Sequence, residues 1–223
     1  MKYVATLLLV FFLAPMAWAQ NPESTSSCHC FKDRVYNPDK KFAADKYLLT
    51  TSFNSFIAVN FKLSKSQIVM MKMKGGVDPD TLLIALYVAK EGGVDLDEVL
   101  TVLEHEVSWG EIFASSSLNG SEDAKDVFAE IAAAKGNDVA AEIVTDQLLK
   151  SYFGMKDADI ASLHQESATG RESVLVNIIA SHSSRESSPT DILAMHSKQK
   201  KSWGEIADYY GFTAKETGNL LKN

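Results

Sequence analysis

From about residue 43 onward, apolar positions recur every three or four residues between short polar or glycine-bearing breaks. Leu82, Leu83, Leu86 and Tyr87 form one such stripe, and Val99, Val102, Leu103 and Val107 form the next. That is the period of an amphipathic helix. No run alternates apolar and polar residues and then closes in a hairpin turn, so strands are not expected. The breaks carry helix punctuation. Ser64-Lys65-Ser66-Gln67 fits a capping box, in which a cap hydroxyl and a side chain three residues later satisfy each other's backbone N–H. Asp95-Leu96-Asp97-Glu98 fits the same pattern. Asp78-Pro79 is a cap followed by proline at the first helical position, where its missing N–H costs nothing. Gly75-Gly76 and Gly92-Gly93 stand where helix ends need a positive φ. The pattern predicts helices over 43–58, 64–73, 79–90, 96–105 and 109–116, then over 138–152, 156–166, 171–182, 189–198, 203–210 and 214–221. An alanine-rich helix over 121–135 joins the two series. The expected class is all-α, and helices this short must each bury a face against neighbours to hold in water.

The two series repeat one another. SWGEI occurs at Ser108 to Ile112 and again at Ser202 to Ile206, 94 residues on. Val99-Leu100 answers Ile192-Leu193 at 93, and Ile68 answers Ile160 and Phe61 answers Phe153 at 92. A steady offset that drifts in the turns is the mark of a duplicated unit. The expected organisation is a leader over 1–19, an extended cysteine-containing segment over 20–41, a helical unit over 42–116, a bridging helix within 117–137 and a second unit over 138–223.

SWGEI reads as a helix start. Ser108 and Glu111, like Ser202 and Glu205, are three apart and form capping boxes. Trp109 with Ile112 and Phe113, and Trp203 with Ile206 and Tyr210, lie on one helical face as core anchors. The last stretch, WGEIADYYGFTAKETGNLLK, resembles a helix-turn-helix over about 20 residues. Ala207 and Gly211 sit four apart, and Thr213 caps a following helix through Glu216. The resemblance implies a second helix presenting Lys215, Glu216, Thr217 and Asn219 to DNA. Only one of those four is basic, so no electrostatic footprint accompanies it.

Composition sets the compartment. Residues 1–19, MKYVATLLLVFFLAPMAWA, combine Lys2, a short apolar core, Pro15 and an Ala17-Trp18-Ala19 site, which predicts a signal peptide cleaved before Gln20. The mature chain would hold 29 acidic and 21 basic residues, a balance that disfavours nonspecific nucleic-acid or anionic-surface binding. No second apolar run is long enough to span a membrane. Two cysteines, Cys28 and Cys30, are too few for a disulfide scaffold. With His29 they form a Cys-His-Cys segment open to a strained disulfide, a soft-metal site or redox exchange. His182 and His196 close adjacent predicted helices and are candidates to meet. No phosphate loop or nucleophile elbow is present. The sequence therefore points to an exported bacterial protein, periplasmic or extracellular, that binds or scaffolds a protein partner or itself. It has no evident catalytic site, implies no cofactor and is not expected to bind nucleic acid. The alternative functions are redox or metal handling by Cys28, His29 and Cys30, and nucleic-acid binding by the C-terminal helix pair.

Overall fold

The computed structural model describes residues 31–105, 108–115, 118 and 120–221, which leaves the leader outside the described residues. Twelve α-helices occur among them, and no strand. In chain order they are α1 Asp45–Asn60, α2 Lys65–Lys74, α3 Pro79–Gly92, α4 Leu96–Leu103, α5 Trp109–Ser115 and α6 Glu122–Ala133. Then follow α7 Asn137–Phe153, α8 Asp157–Gln165, α9 Gly170–His182, α10 Pro189–Ser197, α11 Trp203–Tyr209 and α12 Ala214–Thr217. The all-α expectation holds, and the helices start where the punctuation puts them. No described helix is long and apolar enough to cross a membrane.

The caps are built as the sequence indicates. Gln67 N donates to Ser64 Oγ at 3.2 Å, and Ser64 N donates back to Gln67 Oε1 at 2.8 Å. Asp78 accepts from the amides of Asp80 and Thr81. Gly76 and Gly93 take φ of +64° and +68°, values that favour glycine. Asp95 is the exception: it accepts from Asp97 N at 2.8 Å, two residues on, so this cap is a tighter turn than the box expected. The segment before α1 is not wholly extended. Asn37 accepts from Asp39 N at 2.9 Å and opens a 3-10 turn over Pro38–Lys40.

Three helices have a stretch buried all round and form the centre. Every residue from Thr51 to Ala58 of α1, from Leu82 to Ala89 of α3 and from Ser173 to Ile179 of α9 is buried, the signature of a core helix rather than a surface one. Their principal partners come from across the chain: α3 packs on α7, and α9 packs on α1. In the same crossed manner α6 lies on α7 and α5, and α12 lies on α1 and α11. α4 covers α3, and α10 covers α9. One core gathers Phe56, Leu82, Ile84, Ile131, Val144 and Leu149; a second gathers Leu48, Leu175, Ile179, Ile192, Trp203 and Ile206. Where α3 and α9 begin, Arg171 of α9 meets Asp80 of α3 at 3.2 Å. The starts of α1 to α6 precede those of α7 to α12 by 92, 92, 91, 93, 94 and 92 residues.

Candidate functional site

The two SWGEI segments open α5 and α11, and both tryptophans are buried. At the first, Glu111 N donates to Ser108 Oγ at 3.3 Å, while Ser108 N and Oγ both donate to Glu111 Oε2, at 2.9 and 2.7 Å. Those donors hold the Glu111 carboxyl below its ordinary value. Ile112 is buried, and Trp109 stacks on Phe113. Trp109 Nε1 donates to Asn137 Oδ1 at 3.0 Å, and Asn137 Nδ2 donates to Thr81 Oγ1 at 2.9 Å. This node ties α5 to the starts of α7 and α3.

The second segment departs from the expected box. Glu205 N donates to Ser202 Oγ at 3.1 Å, but the Glu205 carboxylate turns away to Lys41, 3.0 Å off. An ammonium is a stronger partner for a carboxylate than a neutral amide is, and only the folded chain brings Lys41 there. Gly204 N donates to Asp45 Oδ1 at 3.0 Å, so α11 is held by the first residue of α1. A Cβ on Gly204 would stand 3.1 Å from the Tyr36 ring, so a larger residue here would require that ring to shift. Trp203 is 1% exposed, Ile206 is fully buried, and the Trp203 ring stacks on His196 at 4.3 Å between centroids. His196 Nδ1 donates to Lys201 O at 2.7 Å, leaving Nε2 facing Glu172 Oε1 at 3.7 Å. Burial raises the Asp45 carboxyl, opposed by the Gly204 and Trp203 amides, His196 and Lys41.

His182 and His196 do not meet. The contact from Glu172 at the start of α9 to His196 near the end of α10 shows the helices to be antiparallel. His182, ending α9, is at the far end on Ile178 O. The C-terminal pair does form α11 and α12 around Gly211 at φ +85°. However, α12 is one turn long, and Thr217, expected on its presented face, is fully buried with its hydroxyl on Thr213 O. Cys28, His29 and Cys30 lie outside the described residues. Among the described residues no three His, Cys, Asp or Glu side chains are grouped to hold a metal.

Sequence reading missed the feature that stands out in the fold, a groove of about 470 Å³ between α1 and α2. Tyr47, Thr50, Thr51 and Asn54 line it from α1, and Lys65, Ser66, Val69 and Met70 line it from α2. Phe31 and Arg34 also line it, with Phe31 edge-on to the Tyr47 ring. Beneath it, Lys72 is only 4% exposed and donates to Asn54 Oδ1 at 2.5 Å. Burial, reinforced by the Arg171 charge and partly opposed by Asp80 and Asp78, pushes the Lys72 amine down to about 8. Lys72 lies four residues after buried Ile68 on the inward stripe of α2, and that spacing is the one signal that could have marked it. The groove wall holds four hydroxyls, those of Tyr47, Thr50, Thr51 and Ser66, and no histidine, cysteine or carboxylate.

Two smaller clefts lie elsewhere: about 440 Å³ beside Trp109 and Gly110, and about 240 Å³ beside Asp80 and Arg171. No protein-family model, curated protein or solved structure matches this chain.

Proposed function

We propose that the chain is an exported helical binding protein, made by tandem duplication of a six-helix unit, whose ligand seats in the α1–α2 groove. The groove carries this reading. It is open and of small-ligand size, since such pockets run to about 300–1,000 Å³; it measures about 470 Å³ and lacks an activated nucleophile. The duplication rests on correspondences beyond SWGEI. Lys72 donates to Asn54, 18 residues earlier, and His164 pairs with Asp146, 18 residues earlier and at the matching place in α8 and α7. Asp45 and Asn137, the first residues of α1 and α7, each hold an SWGEI segment. Asp80 and Arg171, which pair across the centre, hold equivalent places in α3 and α9. In this reading α6 is the counterpart of α12, and the repeat runs one helix beyond the boundary expected at residue 116. Export rests on the leader over residues 1–19.

The test has two parts. Expressed with its leader in a bacterium, the protein should be recovered from the periplasm with Gln20 at its N-terminus; a cytoplasmic chain of full length refutes export. Thermal unfolding of the mature protein against a panel of anionic, neutral and cationic small molecules should give ligand-dependent stabilisation. Val69→Trp, which fills the groove from a half-buried position, should abolish it. Stabilisation that survives Val69→Trp refutes the site.

A further inference from the structure

The α1–α2 groove reverses the charge of the molecule around it. The chain carries seven more acidic than basic side chains, yet the groove is lined by Arg34 and Lys65 and by no carboxylate. Both cations have donors to spare. Arg34 gives its Nε–H to Phe31 O at 3.0 Å, so both Nη groups have no partner among the described residues, and a guanidinium carries five N–H donors. Lys65 Nζ donates to Gly218 O at 2.6 Å and to Asn219 Oδ1 at 3.3 Å, which leaves one of its three hydrogens. The Arg34 guanidinium stands 5.8 Å from the centre of the Tyr47 ring. From there the wall runs over apolar Val69 and Met70, and Met70 is 42% exposed.

Building on the reading of this groove as the ligand site, we infer that it takes an amphiphilic carboxylate. The headgroup lies across Arg34 and Lys65, and the apolar chain lies along Tyr47, Val69 and Met70. The two Nη groups of an arginine match the two oxygens of a carboxylate and bind them in parallel, which sets both affinity and orientation. The apolar wall supplies the remainder through area removed from water. The acidity of the whole chain does not oppose this. At physiological salt, exposed charges beyond about 8 Å are largely screened, so the cations in contact with the headgroup decide. Burial lowers the Lys65 amine below the ordinary lysine value, and an anion beside it would reverse that. The matching place in the other half has the opposite character. α8 starts with Asp157 where α2 starts with Lys65, and Asp146 of α7 stands where Asn54 stands in α1. The basic groove thus belongs to the first half alone.

Isothermal calorimetry of the mature protein at about 0.15 M salt, with decanoate as probe, tests the inference. Decanol and decyltrimethylammonium serve as the uncharged and oppositely charged controls. Decanoate should bind one to one and at least tenfold more tightly than either control. Arg34→Gln should weaken it about tenfold or more, Arg185→Gln should leave it unchanged, and Val69→Trp should abolish it with the circular dichroism spectrum unaltered. If decanol binds as tightly as decanoate, loses its binding in Val69→Trp and is indifferent to Arg34→Gln, the carboxylate inference is overturned while the groove stands. If decanoate does not bind, or binds equally to Val69→Trp, the inference is overturned at the groove itself.

Discussion

Replacing Lys72 by methionine isolates the cost of a buried amine. Lys72 is 4% exposed and ionises at about 8 in the folded chain, against 10.5 for the ordinary side chain. Burial is the main cause, followed by the nearby Arg171 charge. Between pH 8 and 10.5 the unfolded chain therefore holds a proton that the folded chain has released, so the Lys72 contribution to stability rises with pH through that window. Below about pH 8 both states are protonated and the deficit is constant. The difference between the two values corresponds to about 3 kcal/mol. Lys72→Met keeps the length of the side chain and removes the titration. It also takes a donor from Asn54 Oδ1, at a cost of about 1–3 kcal/mol. Near pH 7 the two effects largely offset, and the variant should equal or slightly exceed the wild type. By pH 10.5 it should have lost about 3 kcal/mol relative to the wild type. Urea unfolding followed by circular dichroism at intervals of half a pH unit gives both curves. Their difference removes the titration common to both chains, including that of Tyr87, which burial pushes up to about 12. A difference that stays constant within about 0.5 kcal/mol from pH 7 to 10.5 would mean that Lys72 ionises as in water and refute the reasoning.

Three further outcomes are expected from urea denaturation. Trp203→Ala and Trp109→Ala should each cost about 3–5 kcal/mol, as buried aromatics do; normal stability in either would show that its indole is not a core anchor. Gly218→Ala would place a methyl group 2.4 Å from the Thr51 side chain, so it should cost about 1–3 kcal/mol by overpacking. Thr51→Ala in the same chain should recover part of that loss. The Asp80–Arg171 pair is about one-third exposed on each side, so a double-mutant cycle should return no more than about 1 kcal/mol of coupling. Exchanging the two residues should restore whatever either single reversal loses.

Much of the fold is written locally. Capping chemistry acts over three residues and apolar periodicity over two turns, so Ser64, Asp78, Thr169, Ser188 and Thr213 mark helix starts without reference to the rest of the chain. Where a distant residue intervenes, the local rule fails. Ser202 and Glu205 have the spacing of a capping box, but the charge of Lys41 takes the Glu205 carboxylate. Thr217 lies on a stretch that reads as a surface helix, but the packing of α12 on α1 buries it.

The candidate site shows the same division. Its residues come from the segment before α1, from α1 and from α2, with Lys65 held by the C-terminal turn at Gly218. Arg34 and Lys65 look in sequence like ordinary surface charges; their shared groove exists only once those pieces are brought together. The sequence alone determined the helical class, the places where helices begin, and the offset of 92 to 94 residues between its matching segments. Those follow from short-range hydrogen bonding and from the burial demand of one helical face. Only the tertiary structure decided that α1 packs on α9 and α3 on α7, that Asp80 meets Arg171, and that a basic groove opens between α1 and α2. Such pairings depend on which faces fit one another across a hundred residues of chain, a matter of shape and charge in three dimensions that no local pattern encodes.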